Sequence, residues 1–446
     1  MTSRKEIDPQ TTLVASLGAA KITSPLAQSR AHQFGNKLIS DEDRILVDVT
    51  AHRVTEIIAR GDTPASLELA GPREKIYFDP SKLRCAVVTC GGLCPGLNDI
   101  IRAIVLQLYY GYGVRNIYGI RYGLEGFIAD YGHEIMDLTP QTVANIHQMG
   151  GTILGSSRGP QPIDEIIDCL ERMNIGTLFM VGGDGTLKAA SAINTAITAR
   201  KLHIAVVAVP KTIDNDIYMV SRSFGFDTAV SIATQAVVAA HNESAGYPNG
   251  ISLIKLMGRH SGYIAATTAL ARQDVNFVLI PEVEFDLEGS RGLFSALETR
   301  LAERGHAVIV VAEGAGQRFF ANETEERDVS GNLKLKDIGP YLKQRIQAHF
   351  DSIRVSTVFK YIDPSYMIRS LPASTNDNVF CSFLGRDAVH AALAGKTGVL
   401  ISHWNGHFVH VPMGISVGQR KQINPQGRLW RSVLYATGQG SLKNDG

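Results

Sequence analysis

The chain has 446 residues, 44 Lys and Arg against 43 Asp and Glu, a net charge of +1, and 44% hydrophobic with 20% charged side chains. This balance excludes a broad electrostatic footprint for nucleic acid or an anionic membrane, but not a small pocket of clustered cations. A chain this apolar and aperiodic is neither disordered nor fibrous, and its length corresponds to roughly two to four domains.

Residues 1–30 are polar, are broken by Pro9 and Pro25, and lack the apolar core of a signal peptide. The first 80 residues do not share the pattern that follows, and are read as an extension that either wraps the core helically or serves subunit contacts or regulation. From about residue 83, short β-branched runs end in glycine-rich or polar loops, and helical stretches follow. Cys85-Ala-Val-Val-Thr89 leads into Gly91-Gly-Leu-Cys-Pro-Gly96 and an apolar-periodic stretch from Ile100. Thr177-Leu-Phe-Met-Val181 leads into Gly182-Gly-Asp-Gly-Thr186 and an alanine-rich helix. Ile204-Ala-Val-Val-Ala-Val209 ends at Pro210 and Lys211-Thr-Ile-Asp-Asn-Asp216, and Ile251-Ser-Leu-Ile-Lys-Leu256 precedes Met257-Gly-Arg-His-Ser-Gly262. Phe277-Val-Leu-Ile280 and Ala307-Val-Ile-Val-Val-Ala312 repeat the theme, the second ending at Glu313-Gly314, with an acidic, exposed excursion at 323–328.

Continuous apolar runs are the mark of strands buried on both faces of a parallel sheet. Their alternation with helices predicts two doubly wound, Rossmann-like α/β domains with a cleft between them, plus the N-terminal extension. Ligands in such folds sit beyond the carboxyl ends of the strands, where these loops lie. The five cysteines are odd in number and scattered, which fits free thiols in a reducing, cytoplasmic setting. No apolar run reaches bilayer-spanning length, so neither a membrane nor a nucleic acid is an expected partner.

Gly182-Gly-Asp-Gly-Thr186 is the most specific motif. Glycines at a strand–helix junction let backbone N–H groups approach phosphate oxygens. Asp184 would repel phosphates unless a cation intervened, which makes a Mg²⁺ ligand of it. Gly91 and Gly92 offer a second approach surface, and Arg158 either clamps a phosphate or is an ordinary surface arginine. In the segment after Pro210, Asp214 is a candidate general base, although Thr, Asp and Asn also suit a helix N-cap. Arg259 suits a transferring phosphoryl group, and Tyr366 with Arg369 suit a sugar hydroxyl and a phosphate. His403-Trp-Asn-Gly-His407 reads as a hairpin turn without a metal.

Taken together and in order, these elements resemble the phosphofructokinase family, and the resemblance extends over about residues 83–425. It implies transfer of a phosphoryl group to the 1-hydroxyl of fructose 6-phosphate, with Mg²⁺ as cofactor and ATP as donor. By that resemblance Gly92, Arg158, Gly159, Gly183, Asp184, Gly185 and Thr186 form the donor site, with Asp184 as the metal ligand. Asp214 is the base, with Lys211, Thr212 and Arg259 beside the transferred group. Thr212, Ile213, Asp214, Met257, Gly258, Arg259, Glu313, Lys360, Tyr366, Met367, Ile368 and Arg369 form the sugar-phosphate pocket. The implied organisation is an extension at 1–81, a donor-binding domain at 82–225 completed by 370–425, a fructose 6-phosphate-binding domain at 226–369, and a tail at 426–446. A homo-oligomer, tetramer or dimer, is also implied; Lys360 is one candidate for a cross-subunit phosphate contact, and Gly250 stands where relatives place an arginine. Tyr366 places the chain near the longer plant- and protozoan-like branch.

Two positions bear on the donor. Gly185 leaves open the space that an Asp fills in pyrophosphate-using relatives, which favours ATP, whereas Lys211 is common in the pyrophosphate enzymes. The steric argument favours ATP. NAD kinases and lipid kinases share the Gly-Gly-Asp-Gly-Thr loop but leave Thr212, Asp214, Tyr366 and Arg369 unexplained. A catalytically silent regulatory subunit would lack Asp184, Asp214 or Arg259, and all three are present.

Overall fold

The computed structural model describes residues 7–28, 38–324, 326–327 and 333–444. Parts of the N-terminal extension, of the 323–328 excursion and of the tail therefore lie outside the described residues. The chain divides into two compact units. Unit 1 comprises Met1–Thr212, Ile217–Gly225 and Leu371–Gln419, and unit 2 comprises Ile213–Asp216, Phe226–Ser370 and Arg420–Gly446.

Unit 1 is built on a nine-stranded sheet. Its five central strands run parallel in the order Asn116–Ile120, Arg84–Thr89, Thr177–Gly182, Ala205–Pro210 and Val399–Trp404. Thr177–Gly182 and Ala205–Pro210 are buried at every position, the reason they read as unbroken apolar runs rather than alternating ones. Chain order reverses between Arg84–Thr89 and Thr177–Gly182: the strand that follows the first in sequence lies on its other side. Such a reversal opens the crevice where doubly wound sheets bind ligands. The antiparallel strand Ile135–Asp137 closes one edge. At the other edge Val399–Trp404 and His407–Pro412 form a hairpin through Asn405 and Gly406, both at positive φ as a two-residue hairpin turn requires.

Unit 2 carries a four-stranded, all-parallel sheet in the order Phe277–Leu279, His306–Ala312, Gly250–Leu256 and Val358–Ile362. Helices Phe226–Ala245 and Tyr263–Ala271 belong to this unit. Leu253, Leu297, Ile309, Leu342 and Ile346 are among its fully buried core residues.

Among the described residues of the extension, Arg44–Leu46 and Ser66–Leu69 add two antiparallel strands to the edge of the unit 1 sheet, and Ala51–Ala59 is the helix between them. Glu68 lies on the second of these strands. This residue is 3% exposed and lies in register with His410 on the neighbouring strand. Its carboxylate accepts from His410 at 3.0 Å, from Arg73 at 2.7 Å and from Lys396 at 3.2 Å. Burial alone would raise its pKa, but the surrounding His410, Lys396 and Arg73 hold it down at about 2. No described helix is long and apolar enough to cross a membrane.

Glu68→Gln is expected to lower unfolding free energy by about 1–3 kcal/mol, because Arg73, Lys396 and His410 lose their buried anion while Asp41, at 3.0 Å from Arg73 and 2.7 Å from Lys396, still pairs with both cations. The depressed folded-state pKa means that this contribution is fully present above the ordinary glutamate range and is lost as pH falls toward 2. Denaturant titration of the two proteins at neutral and acidic pH measures both effects.

Candidate active site

The first cluster belongs to unit 1 and lies at the carboxyl ends of the two strands where chain order reverses. Arg84–Thr89 and Thr177–Gly182 are in register through Thr89 and Val181, so the loops that follow them emerge side by side. Hydrogen bonds stitch these loops together. Cys90 N–H donates to the Val181 carbonyl at 2.9 Å, and Gly91 N–H donates to that of Ser157 at 3.1 Å. Ser156 Oγ donates to the Gly91 carbonyl at 2.6 Å. Lys211 N–H donates to the Gly182 carbonyl at 2.9 Å, and its Nζ, nearly buried, donates to that of Gly92 at 2.6 Å. The structure thus gathers Gly92, the 156–159 loop, Gly183, Asp184, Gly185, Thr186 and Lys211 at one end of the sheet. Arg158 is exposed there, and Gly159 takes φ +99°.

Glycine is required at the first position of the turn. A Cβ on Gly182 would stand 2.1 Å from Thr186 Oγ1, whereas one on Gly185 would meet nothing within 4 Å. Asp184 opens the helix Asp184–Ala199, where the N-terminal dipole favours a carboxylate. Lys188, one turn on, pairs with it at 2.9 Å. The Thr212 carbonyl accepts from Ser223 Oγ at 2.6 Å.

The second cluster belongs to unit 2, beyond three adjacent strands of its sheet. Met257, Gly258 and Arg259 follow Gly250–Leu256, Glu313 follows His306–Ala312, and Tyr366 to Arg369 follow Val358–Ile362. The first two loops are packed backbone to backbone. Gly314 N–H donates to the Gly258 carbonyl at 3.1 Å, and a Cβ on Gly314 would lie 2.0 Å from the Arg259 carbonyl oxygen. Gly258 itself takes φ +137°, a conformation that L side chains rarely adopt.

Asp214 joins this cluster. Its Oδ2 accepts from Arg259 N–H at 3.4 Å, and its carbonyl accepts from Ser261 Oγ at 3.0 Å. The residue keeps partial exposure, but its Oδ1 is shielded from solvent. Burial first, then the neighbouring Asp216 and Glu313 carboxylates, push its pKa well above the ordinary carboxylate range, against the pull of Arg259 N–H and Arg420. Glu313 is raised as well, chiefly by burial, with Arg259, Lys255 and Arg369 opposing. A carboxylate so placed can accept a proton near neutral pH.

The remaining expected residues divide. Tyr366 and Met367 are 75% and 64% exposed, and the Arg369 guanidinium lies 5.1 Å from the Tyr366 ring. Ile213 and Ile368 are buried, so their side chains pack inward. Lys360 pairs with Glu243 at 3.5 Å and stands over the Tyr247 ring. No side chain fits at Gly250, where a Cβ would be 2.0 Å from the Ser244 carbonyl oxygen. Three cations were missed by sequence reasoning. Lys188 was readable as the i+4 partner of Asp184 on an evident helix. Arg420 pairs with Asp216 at 2.9 Å, and Lys421 Nζ donates to Asn215 Oδ1 at 2.9 Å; nothing local announces either contact, since some two hundred residues separate the partners.

Residues 84–392 match the family model described as Phosphofructokinase. The chain belongs to the phosphofructokinase family. It is 48% identical over 440 residues to the ATP-dependent 6-phosphofructokinase of Borreliella burgdorferi, with 97% of each chain covered. It is 43% identical to ATP-dependent 6-phosphofructokinase 1 of Arabidopsis thaliana, covering 94% of this chain and 88% of that one. Among solved structures, the pyrophosphate-dependent phosphofructokinase of Marinobacter aquaeolei shares the fold with a TM-score of 0.65 at 20% identity, over 80% of this chain and 92% of that one.

Gly182→Ala is expected to destabilise the strand–helix turn by about 1–3 kcal/mol through overpacking against Thr186. Gly185→Ala is expected to stay within about 0.5 kcal/mol of the parent, as substitutions without close contacts do. Paired denaturation curves test the contrast.

Proposed function

We propose that this chain is an ATP-dependent 6-phosphofructokinase, transferring the γ-phosphoryl group of ATP to the 1-hydroxyl of fructose 6-phosphate to give fructose 1,6-bisphosphate and ADP. The observation that carries this reading is the Asp214 carboxyl group, enclosed beside two other carboxylates and touched by the Arg259 main chain.

Unit 1 residues serve the donor. The backbone N–H groups around Gly92, Gly183 and Gly185 approach phosphate oxygens, and Arg158 and Gly159 flank them. Asp184 suits Mg²⁺: a single carboxylate at a helix start, among glycines, matches an ion that takes one or two carboxylates plus substrate phosphates and water. When bound, Mg²⁺ supplies charge neutralisation on the phosphates. Lys211, anchored on Gly92, and Arg259 offset charge on the transferred group, and Thr212 lies beside it.

Unit 2 residues serve the acceptor. Met257, Gly258, Glu313, Tyr366, Met367, Ile368 and Arg369 hold fructose 6-phosphate, with Arg369 on its phosphate and Lys360 as a further contact supplied in an oligomer. Asp214 orients the 1-hydroxyl and takes its proton, so that oxygen attacks phosphorus while ADP leaves. Phosphoryl transfer depends on alignment and charge stabilisation more than on covalent chemistry, and these residues supply both. The enzyme works in the cytoplasm as a homo-oligomer, tetramer or dimer.

ATP is preferred to pyrophosphate as donor because the space around Gly185 is open. Introducing Gly185→Asp would place a carboxylate where the α-phosphate of ATP passes; ATP-dependent turnover is expected to fall at least 10-fold, with any pyrophosphate activity spared. Product formation with each donor, with and without Mg²⁺, tests both points, and activity with pyrophosphate alone overturns the ATP assignment.

Asp214→Ser is expected to fold, to bind fructose 6-phosphate and to lose roughly 10²–10⁴-fold in kcat; near-normal turnover sinks the mechanism. The raised pKa also fixes a sign. The base is active only when deprotonated, so kcat/KM falls as pH falls, with its acid limb displaced from the usual carboxylate range toward neutrality. A pH–rate profile reads that limb directly.

A further inference from the structure

The turn that carries Asp214 is held by a part of the chain that no motif marks. Residues 420–423 lie within unit 2, as do Ile213–Asp216 and the loop that carries Arg259. The segment makes three bonds to the turn. Arg420 Nη1 reaches the Asp216 carboxylate at 2.9 Å, Lys421 N–H donates to the Asp216 carbonyl at 2.8 Å, and Lys421 Nζ donates to Asn215 Oδ1 at 2.9 Å. Between them sits Asn215 at φ +53°, a left-handed conformation that needs its surroundings to hold it. The same segment then grips the other loop. Gln422 Nε2 donates to the His260 carbonyl at 3.1 Å, and Tyr263 Oη donates to that of Gln422 at 2.9 Å. Ile423 N–H donates at 2.9 Å to Glu282, which also accepts from Gly262 N–H.

We infer that residues 420–423 form a clamp that sets the position of Asp214 relative to Arg259, with Arg420 as a positioning residue for phosphoryl transfer. Two observations make the clamp more than a surface ion pair. Asp216 is nearly buried, so its partner fixes a charge that cannot be left to solvent. Asp216 and Glu313 raise the Asp214 carboxyl, while the Arg259 main-chain N–H and the Arg420 charge oppose them, so Arg420 acts on the base electrostatically as well as through the turn. Burial also pulls the Lys421 amine down to about 7, with Asp216 opposing that shift, which places it inside the same enclosed cluster. Without Arg420 the turn keeps its bonds to Lys421 and Ser261 but loses the ion pair that fixes the Asp216 carboxylate, and displacement of a catalytic group on the scale of 1 Å costs about 10²-fold in rate.

The inference rests on Asp214 as the base, and the experiment separates the two. In the full-length protein, Arg420→Ala is expected to lower kcat about 10–100-fold while the KM for fructose 6-phosphate stays within about 3-fold, the signature of an interaction realised in the transition state. Arg420→Lys is expected to recover most of the loss, because it restores a cation to Asp216. In an Asp214→Ser background, Arg420→Ala is expected to cost less than about 3-fold more, since residues that act through one another are not additive. Unchanged kcat, a loss carried by KM, or a full additive loss in that background each overturns the clamp. Should Arg420→Ala fail to fold, Lys421→Met removes the bond to Asn215 together with the amine's contact with the Tyr263 ring while leaving the Arg420–Asp216 pair in place, and a kcat-selective loss of about 3–10-fold is expected, with unchanged kcat overturning the clamp. Near-normal turnover by Asp214→Ser alone removes the underlying mechanism; a slow Asp214→Ser beside an unaffected Arg420→Ala removes only the clamp.

Discussion

In unit 2 the Asp214 carboxyl is set by burial and by the charges of the Asp216 and Glu313 carboxylates, and the proposed chemistry depends on that balance. Like charges in low dielectric repel, and the repulsion is relieved either by protonation or by fixed counter-charges. Both occur. Arg420 pairs with Asp216 at 2.9 Å, Arg259 and Arg369 oppose the raised pKa of Glu313, and Asp214 is raised by burial and by both neighbouring carboxylates. The proposed role of Asp214 as the base draws on that environment.

Holding such a cluster requires backbone placed with little tolerance, which explains where the glycines fall. Gly314 lets its loop approach the 257–259 loop so closely that a methyl group would collide with the Arg259 carbonyl oxygen, and one on Gly258 would collide with the Ser261 carbonyl oxygen of its own loop. In unit 1, Gly182 does the same for the turn that sets Asp184 at the start of its helix. Gly185 is different in kind, since the protein itself makes no demand there.

The parallel architecture was legible because buried strands leave an unmistakable run: Thr177–Gly182 and Ala205–Pro210 are apolar at nearly every position and are buried at all of them. The glycine-rich loops were legible because their spacing after those strands is local. What escaped was everything decided by distant pairing. The Ser66–Leu69 strand, placed in the sheet by Glu68 meeting His410, carries a charged residue where a core strand has none, so it reads as loop or helix. Arg420 and Lys421 sit in an unremarkable polar stretch, and their partners lie about two hundred residues earlier. The short excursion Ile213–Asp216 is of the same kind: it belongs to unit 2, although the residues on either side belong to unit 1, and no change in composition marks the crossing.

That interleaving has a consequence for charge. The net charge of +1 is a sum over pairs that are formed locally in space but not in sequence. Lys188 answers Asp184, Arg420 answers Asp216, Lys255 is shared by Asp337 and Asp363, and Lys396 and Arg73 answer Glu68. These carboxylates are thus matched one site at a time, so the near-zero net charge comes from local pairing between residues far apart in sequence rather than from a scarcity of charged groups.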